Sequence, residues 1–176
     1  LIKEENYFFK LSKYSDKVKE LIEKDKFKVS PKTRKNEILS FLSGKVEDIS
    51  FSRSKKALPW GIPVPDEEEQ VIYVWCDALT NYISALDFAN NDKLYKKFWP
   101  ANAHIIGKDI LRFHAAYWPA MLLSAKIKLP KNLFVHGFIT VKGQKISKSL
   151  GNVVDPYKQI EKFGLEAVRF YLLKEV

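Results

Sequence analysis

Two lysines and two hydroxyl side chains lie close together in a short segment that could bind phosphate. Lys145, Ser147, Lys148 and Ser149 fall within five residues, and glycines occur on both sides of them. Lysine offers a compact positive charge, and hydroxyl groups together with loop amides add hydrogen-bond donors. We therefore expect a mobile cationic loop that meets a polyphosphate during a reaction. A solvated basic turn is the alternative interpretation.

Three apolar runs predict the strands that would position this loop. They lie at residues 71–75, 103–106 and 133–140. The first is apolar throughout, which is typical of a strand buried on both faces. Strands that alternate with helices of ten or more residues predict parallel strands joined by right-handed crossovers. The predicted fold class is therefore α/β, with a doubly wound parallel sheet.

Chemically distinctive side chains follow the predicted carboxyl ends of these strands. Trp75–Asp77, Gly107–Asp109 and the Lys145–Lys148 loop come at or just after the three strand ends. Parallel strands open on one edge of the sheet, where ligands bind in a crevice. Asp77 and Asp109 are expected to begin helices, whose amino ends add partial positive charge. The arrangement predicts a nucleotide or phosphate crevice without specifying the reaction.

The amino-terminal segment has a different pattern. Residues 1–47 predict charged helices, since apolar residues repeat at helical spacing. Ser30 and Pro31 predict the start of the second helix, and Gly44 predicts its end. A helical N-terminal segment is therefore expected to precede the sheet.

Two further segments complete the prediction. Residues 48–65 predict a short strand followed by a stiff loop, because three prolines and a glycine there exclude a helix. Asp155 and Pro156 predict the start of another helix.

Composition limits the class of protein. The 176 residues are 46% hydrophobic, enough to bury the core of one domain. A net charge of +9 fits a polyanionic partner such as RNA, but scattered lysines would give the same value. A single cysteine, Cys76, excludes a disulfide framework. No apolar run reaches the roughly 18 residues of a membrane span, so we expect a cytoplasmic protein, with an organelle as the alternative.

Three blocks of the chain resemble methionyl-tRNA synthetases, a family of class I aminoacyl-tRNA synthetases. Residues 145–149, K-I-S-K-S, are similar to the K-M-S-K-S signature of class I, with Ile146 in place of the usual methionine. This replacement keeps the apolar volume. Residues 73–82, Y-V-W-C-D-A-L-T-N-Y, and residues 105–114, I-I-G-K-D-I-L-R-F-H, are similar to the methionine enzymes in order, spacing and flanks. The resemblance covers nearly the whole chain.

The resemblance implies a function and a domain organisation. The function is ATP-dependent activation of methionine to methionyl-adenylate and transfer to tRNA(Met), with Mg²⁺ accompanying ATP, no zinc site in this chain and no membrane partner. The implied fold is the second half of a Rossmann-like catalytic core. Residues 1–47 would be a helical segment returning from the connective insertion, residues 48–155 the catalytic half, and residues 156–176 the start of a helical region. The resemblance leaves the oligomeric state open.

The resemblance also implies three sets of site residues. The catalytic set is Lys145, Ser147 and Lys148. The ATP-binding set is Gly107, Lys108, Asp109, His136, Gly137, Ile139 and Lys148. The methionine-binding set is Arg53, Trp75, Ala78, Leu79, Tyr82, Ile110 and His114.

Several of these residues also have a purely structural interpretation. Trp75 and Ile110 would be core residues in most α/β domains. A histidine such as His114 on an apolar helix face usually has its hydrogen bonds satisfied within the core. Asp109 could instead cap the helix that follows it.

One motif of class I enzymes does not occur in these 176 residues. That motif, H-x-G-H, belongs on the first strand-to-helix turn, whereas His104–Gly107 lies on a later predicted strand and lacks the second histidine. We therefore expect a fragment that carries half of an active site. A non-catalytic RNA-binding module derived from a synthetase is the alternative function, and an unrelated nucleotide-binding α/β protein is a further alternative.

Overall fold

The computed structural model describes residues 5–90 and 92–175, with Lys148 described by its backbone alone. The helices are α1 Ser12–Glu23, α2 Lys32–Ser43, α3 Val74–Ser84, α4 Lys93–Phe98, α5 Trp118–Ser124, α6 Pro156–Phe163 and α7 Leu165–Glu175. Turns of 3₁₀ helix occur at Lys108–Ile110 and Lys148–Leu150, and a π-helical turn at Phe113–Tyr117 leads into α5. The strands are β1 Phe8–Phe9, β2 Lys28–Ser30, β3 Ile49–Ser50, β4 Ser52–Ser54, β5 Pro63–Val64, β6 Glu67–Ile72, β7 His104–Gly107, β8 Asn132–His136, β9 Thr140–Val141 and β10 Gln144–Lys145.

A three-stranded parallel sheet organises the fold. Its order is β2–β8–β7, and both neighbouring pairs are parallel. Val29 pairs with Leu133, and Ile106 pairs with Val135, so one face of the sheet is a continuous apolar layer. The α/β fold class is confirmed.

Helices cover that apolar face. Buried residues of α1, α2, the π-helical turn and α5 form one core with the strands: Val18, Ile22, Ile38, Leu42, Ala115, Ala116 and Ala120. On the other face of the sheet, Ile105 is 72% exposed and Phe134, its neighbour in register, is 42% exposed. The helices of this core therefore pack on one side of the sheet.

The structure corrects the predicted strand at residues 71–75. Strand β6 ends at Ile72 and pairs antiparallel with β4 and β5, in a separate three-stranded sheet. Helix α3 begins at Val74, so Trp75 lies on a first helical turn. Periodicity alone cannot show whether a short apolar run is one strand throughout or the end of a strand followed by the first turn of a helix.

The capping predictions were wrong at three positions. Tyr73 occupies the N-cap of α3, and Asp77 lies within its first turn. Asp109 lies inside a 3₁₀ turn that has no side-chain cap. Pro31 precedes α2, and Ser30 makes no capping bond. By contrast, Gly44 ends α2, and Asp155 caps α6 by accepting a hydrogen bond of 2.9 Å from the Tyr157 backbone amide.

Two strands within residues 1–47 were not predicted. Lys28–Ser30 forms β2 of the parallel sheet, and Phe8–Phe9 forms β1, which pairs with β3. Strands of two or three residues are too short to show a two-residue alternation. The predicted strand at 133–140 also ends early, because β8 stops at His136.

One further property concerns membranes. Among the residues that the structure describes, no helix has both the length and the apolar character needed to cross a membrane.

Candidate functional site

The carboxyl ends of β7 and β8 bring two predicted site residues together. Gly107 ends β7 and lies in register with His136, which ends β8. A Cβ atom on residue 107 would lie 2.9 Å from the Asp109 Oδ1 atom and 3.7 Å from the His136 Cε1 atom. A side chain at residue 107 would therefore require the exposed Asp109 carboxylate to shift, whereas glycine leaves the backbone accessible.

A cluster of charges and one aromatic ring lies at the same edge. The Lys145 ammonium is 3.5 Å from Asp109 Oδ2 and 4.0 Å from the centre of the Phe138 ring. The Lys108 ammonium is 4.4 Å from that ring centre. Two cations thus contact one aromatic ring, and a single carboxylate lies beside them. An incoming anion would find positive charge here that Asp109 offsets only in part.

The loop that carries Lys145 is anchored by a hairpin. Strands β9 and β10 pair antiparallel, and Lys142 and Gly143 connect them with φ angles of 51° and 76°. Two successive positive φ angles are typical of a type I′ turn, which matches the twist of paired strands. Gly143 is suited to its position, since glycine adopts positive φ without strain.

Asn152 closes the loop, a role that no sequence pattern indicated. Its Oδ1 atom accepts a hydrogen bond of 2.8 Å from the Ser147 backbone amide, and its Nδ2 donates to the Lys145 carbonyl at 3.0 Å. The hydroxyls of Ser147 and Ser149 lie 2.6 Å apart. The loop is therefore held in a defined shape by one side chain, which the sequence showed only as part of a Gly-Asn turn.

The remaining residues of the predicted ATP-binding set are His136, Gly137, Ile139 and Lys148. Gly137 has no atom within 4 Å of an added Cβ, and the His136 Nδ1 donates to the Gly137 carbonyl at 2.6 Å. Ile139 is 37% exposed. The side chain of Lys148 lies outside the described residues, so its predicted roles stay predictions.

Four rings lie between α3 and the helical segment after β7, and we call them the aromatic box: Trp75, Tyr82, Phe113 and His114. The Trp75 ring stacks on Phe113, with centroids 3.8 Å apart and planes 16° apart. The ring centres of His114 and Trp75 are 6.4 Å apart, with their planes 86° apart. Because these rings come from segments about 38 residues apart in the chain, the predicted pocket residues do meet.

Hydrogen bonds determine the tautomer of His114. The Nδ1 atom is 3.0 Å from the Ile110 carbonyl oxygen, which can only accept, so Nδ1 carries the proton. The Nε2 atom must then accept from the Tyr82 hydroxyl, 2.9 Å away. Burial lowers the pKa of His114, and burial raises the pKa of Tyr82. The pair is therefore neutral, and the Tyr82 oxygen keeps its lone pairs for another donor.

His104 supports this pair, although its place on a predicted strand without a second histidine indicated no role for it. Its ring centre is 4.1 Å from that of Tyr82, and its Nε2 atom accepts from the Trp118 indole N–H at 3.3 Å. Burial and, to a smaller extent, His114 lower its pKa to about 4. The sequence offered no signal for this contact, because Tyr82, His104 and Trp118 come from three separate elements.

Other members of the predicted methionine set have mixed placements. Leu79 is 1% exposed and belongs to the core around Trp118, while Ala78 and Ile110 are half-buried. Arg53 donates to the Ser50 hydroxyl at 2.8 Å and to the Ser52 carbonyl at 2.6 Å, and its guanidinium lies 4.2 Å from the Tyr73 ring centre. No carboxylate pairs with Arg53 among the residues described.

A cavity of about 330 Å³ adjoins the charged cluster. It is lined by Glu37, Lys108, Asp109, Leu111, Arg112, Phe113 and Tyr117. Phe113 therefore separates this cavity from Trp75. No sequence pattern indicated that α2 would contribute Glu37 to this edge.

Known proteins resemble the chain over its full length. The family model described as tRNA synthetases class I (M) matches residues 1–176. The methionine–tRNA ligase of Brucella suis biovar 1 (strain 1330) is 51% identical over 99% of this chain and 34% of its own length. That of Thermotoga maritima is 49% identical over 99% of this chain and 28% of its own length.

A solved structure also matches the fold over nearly the whole chain. The Mycobacterium tuberculosis methionyl-tRNA synthetase bound by methionyl-adenylate has a TM-score of 0.88 and 47% identity, over 99% of this chain and 34% of that one. The chain thus spans about a third of the length of these relatives. Since the family match extends from the first residue to the last, the chain belongs to the class I tRNA synthetases of the (M) family.

Proposed function

We propose that this chain is the part of a methionine–tRNA ligase that binds methionine and closes on ATP. The observation that carries the proposal is the TM-score of 0.88, over 99% of the chain, to a synthetase that holds methionyl-adenylate. The proposed reactions are formation of methionyl-adenylate from methionine and MgATP, and then transfer of methionine to tRNA(Met).

In the first reaction a methionine carboxylate oxygen attacks the α-phosphate of ATP, and pyrophosphate leaves. Negative charge grows on the leaving pyrophosphate, so positive charge placed there lowers the barrier. We assign this role to Lys148, with Lys145 and Ser147 holding the loop closed. The contact of Lys145 with Asp109 supports the assignment, because it ties the loop to the end of β7.

The nucleotide would lie along the carboxyl edge. Gly107 allows the backbone to approach it, and Lys108 and Asp109 follow at the start of the 3₁₀ turn. We assign the adenosine to the end of β8, where His136 and Gly137 are followed by Ile139. The space around Gly137 supports this assignment.

The aromatic box suits a methionine side chain. A thioether is polarizable and interacts favourably with ring edges and faces, which Trp75 and Tyr82 provide. The neutral Tyr82–His114 pair adds one polar contact without a charge. A charged side chain would be disfavoured, because the box offers it no ionic partner. Ala78, Leu79, Ile110 and Arg53 complete the proposed set.

The domain assignment follows from the same proposal. Residues 1–47 would return from a connective insertion, residues 48–155 would form the second half of the catalytic domain, and residues 156–176 would begin a helical region. We place the enzyme in the cytoplasm, where tRNA and ATP are available.

Methionine-dependent exchange of pyrophosphate into ATP tests the function. A full-length protein that contains this chain should catalyse exchange with methionine and not with leucine. Absence of exchange, together with binding of tRNA, would instead support a non-catalytic RNA-binding module.

The 176 residues alone should exchange pyrophosphate far more slowly. The loop of Lys145 and Lys148 approaches the triphosphate from one side, and the H-x-G-H turn should meet it from the other. Positioning of reactants can contribute about 7–11 kcal/mol, so losing half of the positioning groups should cost much of the rate. Exchange by the 176 residues within about tenfold of the full-length rate would contradict this half-site reasoning.

A further inference from the structure

The positive charge of the chain is concentrated in one segment. Residues 92–131 hold eight basic and two acidic side chains, a net charge of +6 out of the +9 of the whole chain. Seven exposed lysines lie at the amino edge of the parallel sheet, opposite the candidate active site, and we call them the amino-edge lysines: Lys28, Lys93, Lys96, Lys97, Lys126, Lys128 and Lys131.

Hydrogen bonds hold the three segments that carry these lysines together. The Lys28 amide donates to the Lys131 carbonyl at 3.1 Å, and the Lys131 amide donates to the Ala101 carbonyl at 2.9 Å. The Trp99 indole N–H donates to the Lys128 carbonyl at 2.8 Å. Helix α4 and the loop before β8 are therefore fixed beside the start of β2, which preorganises the surface.

The amino-edge lysines lack the acidic partners that the lysines of α1 have. On α1, Glu20 pairs with both Lys17 and Lys24 at 2.7 Å. Among the amino-edge lysines, the described residues supply one ion pair, between Lys96 and Asp92 at 3.8 Å. Like charges held close together without counterions destabilise a free protein. A polyanion bound at this edge would remove that cost.

Exposed apolar groups lie among the charges. Phe98 is 53% exposed, with the Lys97 ammonium 5.0 Å from its ring centre, and Leu94 lies one helical turn away on α4. Alternating aromatic and basic groups are typical of surfaces on which nucleic-acid bases stack. A lipid bilayer would favour a broader apolar face than the one turn that α4 presents.

We propose that the amino-edge lysines and Phe98 form a binding surface for a single-stranded stretch of RNA. The lysines neutralise its phosphates, and the Phe98 ring stacks on a base. The surface lies about 15 Å from the carboxyl edge, since β7 and β8 have four and five residues. The inference therefore goes beyond the proposed function and does not depend on it.

Fluorescence anisotropy with a labelled 20-nucleotide oligouridine tests the proposal. The triple variant Lys93→Gln/Lys97→Gln/Lys128→Gln removes unpaired amino-edge charges. Each lost phosphate contact lowers the slope of log affinity against log salt by about 0.7, so the slope should fall by about 2 and affinity at low salt by about tenfold or more. Phe98→Ala should weaken binding by about fivefold or more, because a base would lose its stacking partner.

A matched control separates this surface from net charge. Lys17→Gln/Lys19→Gln/Lys24→Gln removes the same charge from the ion-paired face of α1 and should change affinity by less than about twofold. The proposal would be overturned if both triple variants weakened oligouridine binding equally, or if neither variant weakened it. The proposal would also be overturned if polyglutamate displaced the labelled oligouridine as effectively as unlabelled RNA does.

Two further readouts distinguish other outcomes. Loss of binding to phosphatidylserine vesicles in the amino-edge variant, with oligouridine binding intact, would assign the surface to lipid and overturn the RNA proposal. Pyrophosphate exchange by the full-length amino-edge variant should equal that of the unaltered protein. The oligouridine measurements would therefore still test the RNA-binding surface if the protein showed no ligase activity.

Discussion

Asn152→Ala should slow adenylate formation without weakening methionine binding. The substitution removes both hydrogen bonds that close the loop, one donated by the Ser147 amide to the Asn152 side chain and one donated by that side chain to the Lys145 carbonyl. The loop would remain joined to its hairpin but would no longer hold Lys145 and Ser147 in one arrangement. The effect should therefore fall on the transition state, which we propose that the loop contacts, and spare the aromatic box.

The hydrogen bonds set the size of the effect. A neutral hydrogen bond contributes about 0.5–1.5 kcal/mol net, so two of them hold the closed loop by about 1–3 kcal/mol. If closure is required in the transition state, kcat for pyrophosphate exchange should fall roughly 5- to 150-fold. The KM for methionine should change by less than about twofold, because the substitution removes no proposed methionine contact.

Steady-state pyrophosphate exchange on the full-length protein measures both parameters. Asn132→Ala is a matched control, since the Asn132 Nδ2 donates to the Asn102 carbonyl at 2.7 Å, at the amino edge of the sheet. The control should retain the unaltered kcat. A kcat for Asn152→Ala within about twofold of normal, or an equal loss in both variants, would refute the role of Asn152 in loop closure.

Three other outcomes follow from the site. Lys148→Ala should lower the rate of adenylate formation by roughly 10²–10³, measured by single-turnover kinetics, and an equal loss of methionine affinity would place Lys148 in ground-state binding. Trp75→Ala should raise the KM for methionine at unchanged KM for ATP, and unfolding of the variant, detected by circular dichroism, would show that Trp75 is a core residue instead. His104 has a folded-state pKa of about 4 against 6.5 for a free histidine, so the unfolded chain binds the proton first on acidification. Stability due to neutral His104 is therefore complete above pH 6.5 and decreases towards pH 4, by about 3 kcal/mol. His104→Gln should reduce the difference between urea-unfolding free energies at pH 7 and pH 4.5, and an unchanged difference would contradict the assignment.

The sequence alone determined the fold class and the edge at which the candidate site residues lie. Alternating strands and helices imply parallel strands, and parallel strands end at one edge. Gly107–Asp109 and the loop around Lys145 were placed at that edge for this reason, and the contact of 3.5 Å between Lys145 and Asp109 agrees with the placement. These inferences needed only local periodicity and a rule of topology.

Strand pairing determined the strands and strand ends that local periodicity could not predict. Lys28–Ser30 joins the parallel sheet through pairing with β8, about a hundred residues away, and three residues show no alternation of their own. Val74 and Trp75 continue an apolar run, yet they begin a helix, because β6 ends at Ile72, opposite Ser52, where its antiparallel partner β4 begins. Such boundaries depend on partners distant in the chain.

Tertiary contacts also decided the chemistry of the pocket. The protonation of His114 follows from the positions of the Ile110 carbonyl and the Tyr82 hydroxyl, and the low pKa of His104 follows from its burial. Asn152 acquires its role only when the loop folds back onto it. Residue types specify which hydrogen bonds are possible, but only the folded arrangement determines which are made, because each bond requires two groups within about 3 Å of each other.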